Sequence, residues 1–232
     1  MGRLIGCLLV HGFTGSGFEV EPLTRHLTKR GIHAVCPLLS GHGDNPEKPM
    51  NEVIWQDWVR SGEIAMQQLK RDYDTVYVIG FSMGGLIAAY LANRYQADKL
   101  VLLSASVFYL NPKQIVKDLA ALMQSLLKDS DQRQELRRYT ERIKKVPLRA
   151  IAEFRRLVHA LKPELHKITT PVLIIQGALD DLVAPKSATY IYENVKSTDK
   201  HLYILPKSKH LVCHDCEQEQ LIQRVSQFLQ ID

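Results

Sequence analysis

The chain has 232 residues, 45% hydrophobic and 24% charged, with a formal net charge of +5. That length can bury one sizeable core, so a single soluble domain over 1–232 is expected, and no apolar run approaches the roughly 20 residues a membrane-spanning helix needs. The basic excess lies between Ser106 and His166, where 13 Lys and Arg stand against 7 Asp and Glu. There the two signs interleave at helical spacing, as in DQRQELRRYTERIKK, which reads as a solvated helix face and not a nucleic-acid surface.

The opening MGRLIGCLLVHGF reads as a strand running into a glycine turn, not a secretion signal. Myristoylation at Gly2 fails because Gly6 stands where Ser or Thr is needed, so a cytoplasmic protein is expected. Short apolar runs then alternate with amphipathic ones. LIGCLLV (4–10) precedes PLTRHLTKRG (22–31), and HAVCPLL (33–39) precedes WQDWVRSGEIAMQQLK (55–70). TVYVIG (75–80) leads into GGLIAAYLANRY (84–95), followed by KLVLLS (99–104). The rhythm resumes with PVLIIQG (171–177), SATYIYENV (187–195), HLYILP (201–206) and EQEQLIQRVSQFLQ (217–230). Strands apolar on both faces, each followed by a helix, predict an α/β fold with a mostly parallel sheet covered on both sides.

Between Val107 and Leu165 the strand rhythm stops. Three helical patterns, PKQIVKDLAALMQSLLK, DQRQELRRYTERIKK and PLRAIAEFRRLVHALK, are punctuated by Pro112, Pro147 and Pro163. They predict an inserted helical cap over 107–165. Its apolar stripe, which includes Leu119, Leu122, Met123, Leu126 and Leu127, is expected to line a pocket as a lid or to pack within a helical bundle.

Gly80-Phe81-Ser82-Met83-Gly84 fits G-x-S-x-G between a strand and a helix. A tight turn there would hold Ser82 in a strained conformation at a helix N-terminus, and glycine two residues to either side removes the clash with neighbouring backbone. A serine hydroxyl needs a base, and a tetrahedral oxyanion needs N–H donors. HGFTGSG (11–17) follows the first strand and can offer the Phe13 N–H, which with the Met83 N–H would complete an oxyanion hole. Downstream, IIQGALDDLV places Asp180 past a strand end, and LYILPKSKHLV does the same for His210. Four cysteines, Cys7, Cys36, Cys213 and Cys216, are expected as reduced thiols. CHDC (213–216) lacks the second ligand pair a zinc site would need.

The motifs HGFTG, SGHG, GFSMGG, GALDDLV and SKHLV occur in the order found in the α/β-hydrolase superfamily, and the chain most resembles small bacterial carboxylesterases and monoacylglycerol lipase-like serine hydrolases. The resemblance implies Ser82 as nucleophile, His210 as base and Asp180 as acid, the last in G-x-x-D-x-x-V with Gly177 and Val183. Asp181 is then a neighbouring carboxylate, His214 a residue at the beginning of the final helix, and His11 and His42 hydrogen-bonding supports. Larger members carry an N-terminal antiparallel hairpin before the first strand of this chain, so about six strands are expected here. The implied activity is hydrolysis of short- to medium-chain carboxylic esters or monoacylglycerols through an acyl-enzyme. The partner is a small-molecule ester, and neither cofactor nor metal, nucleic acid or membrane insertion is called for. Thioesterase, acyltransferase and perhydrolase chemistry share the triad, and a non-catalytic ligand-binding protein would share the fold. Carboxylate-dependent dehalogenases and epoxide hydrolases are excluded by serine at position 82.

Overall fold

A computed structural model describes residues 4–44, 46–108 and 146–231. Among the described residues six strands form one sheet: β1 (Ile5–Val10), β2 (His33–Val35), β3 (Thr75–Phe81), β4 (Lys99–Leu103), β5 (Val172–Gly177) and β6 (Lys200–Leu205). Their order is β2-β1-β3-β4-β5-β6, and every neighbouring pair is parallel. The described helices are α1 (Glu21–Lys29), α2 (Trp55–Asp72), α3 (Met83–Arg94), α4 (Leu148–Leu161), α5 (Lys186–Asn194) and α6 (Gln218–Leu229). None is long and apolar enough to cross a membrane.

The two-residue period of the strands divides the core in two. Leu8, Val10, Val76, Val78, Leu100, Leu102, Val172 and Ile174 face α2, α3, α4 and α5. Cys7, Leu9, Tyr77, Ile79, Val101, Leu103, Leu173 and Ile175 face α1 and α6. Each fully buried aliphatic side chain stabilises this arrangement by roughly 1.5–3 kcal/mol relative to exposure. Helix α3 is apolar nearly all round, as a helix sandwiched between a sheet and other helices should be. Strand β2 covers only His33–Val35 of the apolar run at 33–39. Pro37 has no N–H for the ladder, which suits a short strand at the sheet edge.

Helix α4 belongs to the third helical pattern of the expected cap. It packs on α2 and α3, and Ala150, Ile151, Phe154, Leu157, Val158 and Leu161 join the core on that face. The first two patterns of the cap, with the Leu119–Leu127 stripe, lie outside the described residues.

From β1 the chain steps to β2 on one side, and β3 then begins the run on the other. The loops leaving the carboxyl ends of β1 and β3 therefore diverge and open a crevice at the switch of strand order, where α/β sheets bind ligands.

Candidate active site

Ser82 follows β3 immediately and caps α3, with φ 54° and ψ −119°, a left-handed backbone that a non-glycine residue rarely adopts. Neighbouring strands hold the turn. The Ser82 N–H donates to the Leu103 carbonyl at 2.9 Å, and the Ser82 carbonyl accepts from Gly85 N–H at 3.0 Å and Ser106 N–H at 3.2 Å. A Cβ at Gly80 would lie 2.3 Å from the Gly84 carbonyl oxygen and 2.5 Å from Ala88 Cβ. One at Gly84 would lie 2.2 Å from the Val10 oxygen and 2.4 Å from the His11 oxygen. The first glycine thus lets α3 close onto β3, and the second lets it meet the end of β1.

Three elements bring the other polar groups to this turn. His210, in the loop after β6, has Nε2 3.0 Å from Ser82 Oγ and Nδ1 2.8 Å from Asp180 Oδ2. Asp180 stands in the loop after β5. Its Oδ2 also accepts from Gln176 Nε2 at 2.7 Å, and its Oδ1 accepts from the Leu182 and Val183 N–H groups at 3.0 and 2.9 Å. Both carboxylate oxygens are thus committed as acceptors, which assigns the hydrogen of the shared bond to His210 Nδ1 and leaves Nε2 with a lone pair. All three residues are buried. Burial is the largest influence on His210 and pulls its pKa down. The charge and hydrogen bond of Asp180, with Glu19 and Asp181 behind them, more than reverse it, so His210 titrates above the ordinary imidazole value.

The loop after β1 is fastened from several directions. Gly12 N–H donates to the buried Glu19 carboxylate, 2.6 Å from Oε2. Leu39 N–H donates to His11 Nε2 at 3.1 Å, and Thr14 N–H to His42 Nε2 at 3.0 Å. These acceptor roles put the hydrogens on Nδ1, from which His11 donates to the Gly12 carbonyl at 2.9 Å and His42 to the Ser40 carbonyl at 3.1 Å. So braced, the loop brings Phe13 to the wall of the small cavity over Ser82, where its ring stacks on Phe154 of α4 at 5.1 Å. Leu182 and Val183 complete an apolar wall. Met83 opens α3, where a backbone N–H has no acceptor within the helix.

Over residues 6–217 the chain matches the family model described as Serine aminopeptidase, S33. The chain belongs to this family of α/β-hydrolases. The hydrolase is similar to a thermostable monoacylglycerol lipase of Bacillus sp. (strain H-257), at 30% identity over 239 residues covering 97% of this chain and 90% of the relative. A carboxylesterase of Bacillus subtilis (strain 168) is 24% identical over 225 residues, 96% of this chain and 91% of that protein. Among solved structures, one from work on the metagenome-derived lipolytic enzymes LipS and LipT has a TM-score of 0.80 at 24% identity, covering 99% of this chain and 95% of that one, and shares the fold.

Other polar residues of the hydrolase lie elsewhere. Asp181 is exposed and makes no hydrogen bond to His210, whereas its neighbour Asp180 does. His214 does not open the final helix but ends the 3₁₀ turn Val212–His214 before α6; it stacks on Phe18 with ring centroids 4.3 Å apart, and its Nε2 is 2.7 Å from the Phe18 carbonyl, so it supports the turn at 17–20. Cys213 is buried and Cys216 exposed, and all four thiols are unpaired. Three residues in contact with the site went unread in the sequence. Gln176 ends a strand as an ordinary polar residue, Glu19 resembles a first-turn helix acid, and Ser106 is one of two serines beyond β4. Gln176 and Ser106 share a usable signal, a polar side chain within a few residues of a strand's carboxyl end, whereas Glu19 lies nine residues past β1 and carries no such mark.

Proposed function

We propose that the hydrolase cleaves carboxylic esters, with short- to medium-chain esters and monoacylglycerols as its substrate class. The observation that carries this reading is the continuous row from Ser82 Oγ through His210 to Asp180, with bonds of 3.0 and 2.8 Å. In the proposed reaction Ser82 Oγ attacks the ester carbonyl carbon while its proton passes to His210 Nε2. Asp180 holds the imidazole in the required tautomer and offsets the charge it gains. The Phe13 and Met83 N–H groups receive the oxyanion. On collapse, the C–O bond breaks and the leaving alcohol takes the proton from His210. Water, deprotonated by His210, then attacks the acyl-enzyme, and the carboxylic acid leaves as Ser82 regains its hydrogen. The names of the similar monoacylglycerol lipase and carboxylesterase support an ester over other acyl substrates. The apolar wall of Phe13, Phe154, Leu182 and Val183 suits the acyl group.

The test is fluorophosphonate labelling followed by a p-nitrophenyl ester series of increasing acyl length. Labelling at Ser82 is expected, with turnover highest for short or medium chains. Ser82→Ala is expected to remove labelling and about 10⁶ of kcat. Retention of more than a tenth of kcat by a pure Ser82→Ala preparation would refute the reading, and a series inert as oxygen esters but active as thioesters would redirect it.

A further inference from the structure

Ser82 Oγ has a second partner that the catalytic row does not use. Ser106 Oγ lies 3.0 Å from it and is buried. A local device presents this serine. Ser104, just past β4, has φ 46°, and its N–H donates to the Ile175 carbonyl at 2.9 Å. Its hydroxyl donates to the His210 carbonyl at 3.1 Å. Ala105 sits under Gly85, where a Cβ would come within 2.6 Å of its own, and Ser106 N–H returns to the Ser82 carbonyl at 3.2 Å. A buried serine held in a left-handed conformation is strain that the surrounding packing must hold in place, and such strain gathers at functional sites.

The direction of the bond follows from the proton inventory. With the hydrogen on His210 Nδ1 directed to Asp180, Nε2 can only accept, so the single Ser82 hydroxyl proton points to it. Ser82 Oγ can then only accept from Ser106, which must donate its own proton. The order of donation is Ser106 to Ser82 to His210.

We propose that Ser106 is a positioning residue for acyl transfer to Ser82. It orients the nucleophile's proton toward His210 and stabilises the oxygen as that proton departs. The inference rests on the reading of Ser82 as nucleophile. As Oγ loses its proton to Nε2 and bonds to the acyl carbon, charge builds on it transiently, and a hydrogen bond to a charged acceptor is about twice as strong as to a neutral one. The gain is thus larger in the transition state than in the resting enzyme, the condition for acceleration. In the acyl-enzyme, Oγ is an ester oxygen and a poor acceptor, so Ser106 contributes least while water attacks.

The test measures the second-order rate of fluorophosphonate labelling for Ser106→Ala, Ser106→Thr and Ser106→Cys, beside wild type and Ser82→Ala. Thermal unfolding of each establishes that it is folded. Loss of one directed hydrogen bond is expected to slow labelling by Ser106→Ala roughly ten-fold. Ser106→Cys keeps the size with a weak donor and should be similarly slow, so it also serves if the alanine variant does not fold. Ser106→Thr keeps the hydroxyl and should recover most of the rate. The acidic limb of the labelling pH profile should stay where it is, because the groups that shift His210 are Asp180, Glu19 and Asp181 and not Ser106. Wild-type labelling by both Ser106→Ala and Ser106→Cys would overturn the inference, as would a Ser106→Thr variant no faster than Ser106→Ala. Labelling of Ser82→Ala at the wild-type rate would instead overturn the nucleophile assignment beneath it.

Discussion

The middle of the sheet and its carboxyl edge are built by opposite rules. Along β1, β3, β4 and β5 the buried side chains are almost all aliphatic and alternate cleanly between two helical layers. A few residues further on, past the ends of those strands and of β6, the buried polar groups include His11, Ser82, Ser104, Ser106, Gln176, Asp180 and His210. Backbone strain follows the same division: of the described non-glycine residues with positive φ, Thr14, Ser82 and Ser104 lie just past β1, β3 and β4. The other two, Gln96 and Gln230, lie just past the ends of α3 and α6. The apolar middle supplies stability, and the edge uses that rigidity to hold polar groups in positions they would not choose alone.

If the two regions are separable in this way, substitutions should sort by which quantity they damage. The largest effects belong at the edge and should spare stability. His210→Ala is expected to remove about 10⁶ of kcat, and Asp180→Asn about 10⁴ by stabilising the wrong imidazole tautomer, while Asp181→Asn should change kcat only a few-fold. Steady-state ester hydrolysis on each variant decides this, and an Asp181 variant worse than the Asp180 variant would put the acid one residue further on.

Gly84→Ala probes the place where the two regions join, since its Cβ would meet the Val10 carbonyl at 2.2 Å. Backbone cannot give way as a flexible side chain would, so α3 and Ser82 must shift together. A loss of about 10² in kcat/KM with a destabilisation of about 1–3 kcal/mol is expected, measured by hydrolysis and urea unfolding.

In the apolar region Leu69→Ala should show the reverse pattern. Leu69 is buried on α2 against Gly6, at the amino half of β1. The cavity should cost about 2–5 kcal/mol of stability, while kcat measured well below the melting temperature stays within about two-fold. A parallel fall in kcat would mean that the edge feels packing changes across the sheet.

The smallest effect separates charge from scaffolding at the edge. Glu19→Gln keeps an acceptor for Gly12 N–H but removes a negative charge that favours protonated His210. The imidazolium is then less stabilised and gives up its proton more readily. The acidic limb of the kcat/KM profile, which reports neutral His210, should therefore move to lower pH. Asp180 and Asp181 also raise this pKa and remain in place, so only part of the upward pull on His210 is lost. A limb that stays put or moves upward would contradict this account of Glu19.

The residues read most directly from the sequence are those whose constraint is local. Gly80 and Gly84 are legible because a strand-turn-helix this tight leaves no room for a Cβ, and the requirement repeats at fixed offsets from Ser82. Asp180 and His210 are legible by their places beyond the apolar runs of β5 and β6. The strand count and the two-sided burial follow from the two-residue period and the helical stretches between. Boundaries were less secure where an apolar run outlasted its strand, as at 33–39, because hydrophobicity does not show where ladder hydrogen bonding stops.

Contacts between distant segments were decided only by the tertiary structure. Ser106 is 24 residues from Ser82 and meets it because β3 and β4 are neighbours and Ser104 turns the chain back. Glu19 takes the Gly12 N–H because the turn at 17–20 folds it beneath the loop after β1. Helix α4, read as part of a cap, brings Phe154 onto Phe13 at 5.1 Å and becomes part of the body. Local sterics and hydrophobic period are written into neighbouring residues, so the sequence determined the fold class, the strained serine turn and the order of its polar companions. Which side chains complete the site depends on the sheet order and the register of neighbouring strands, and these arise only when the whole core is buried at once.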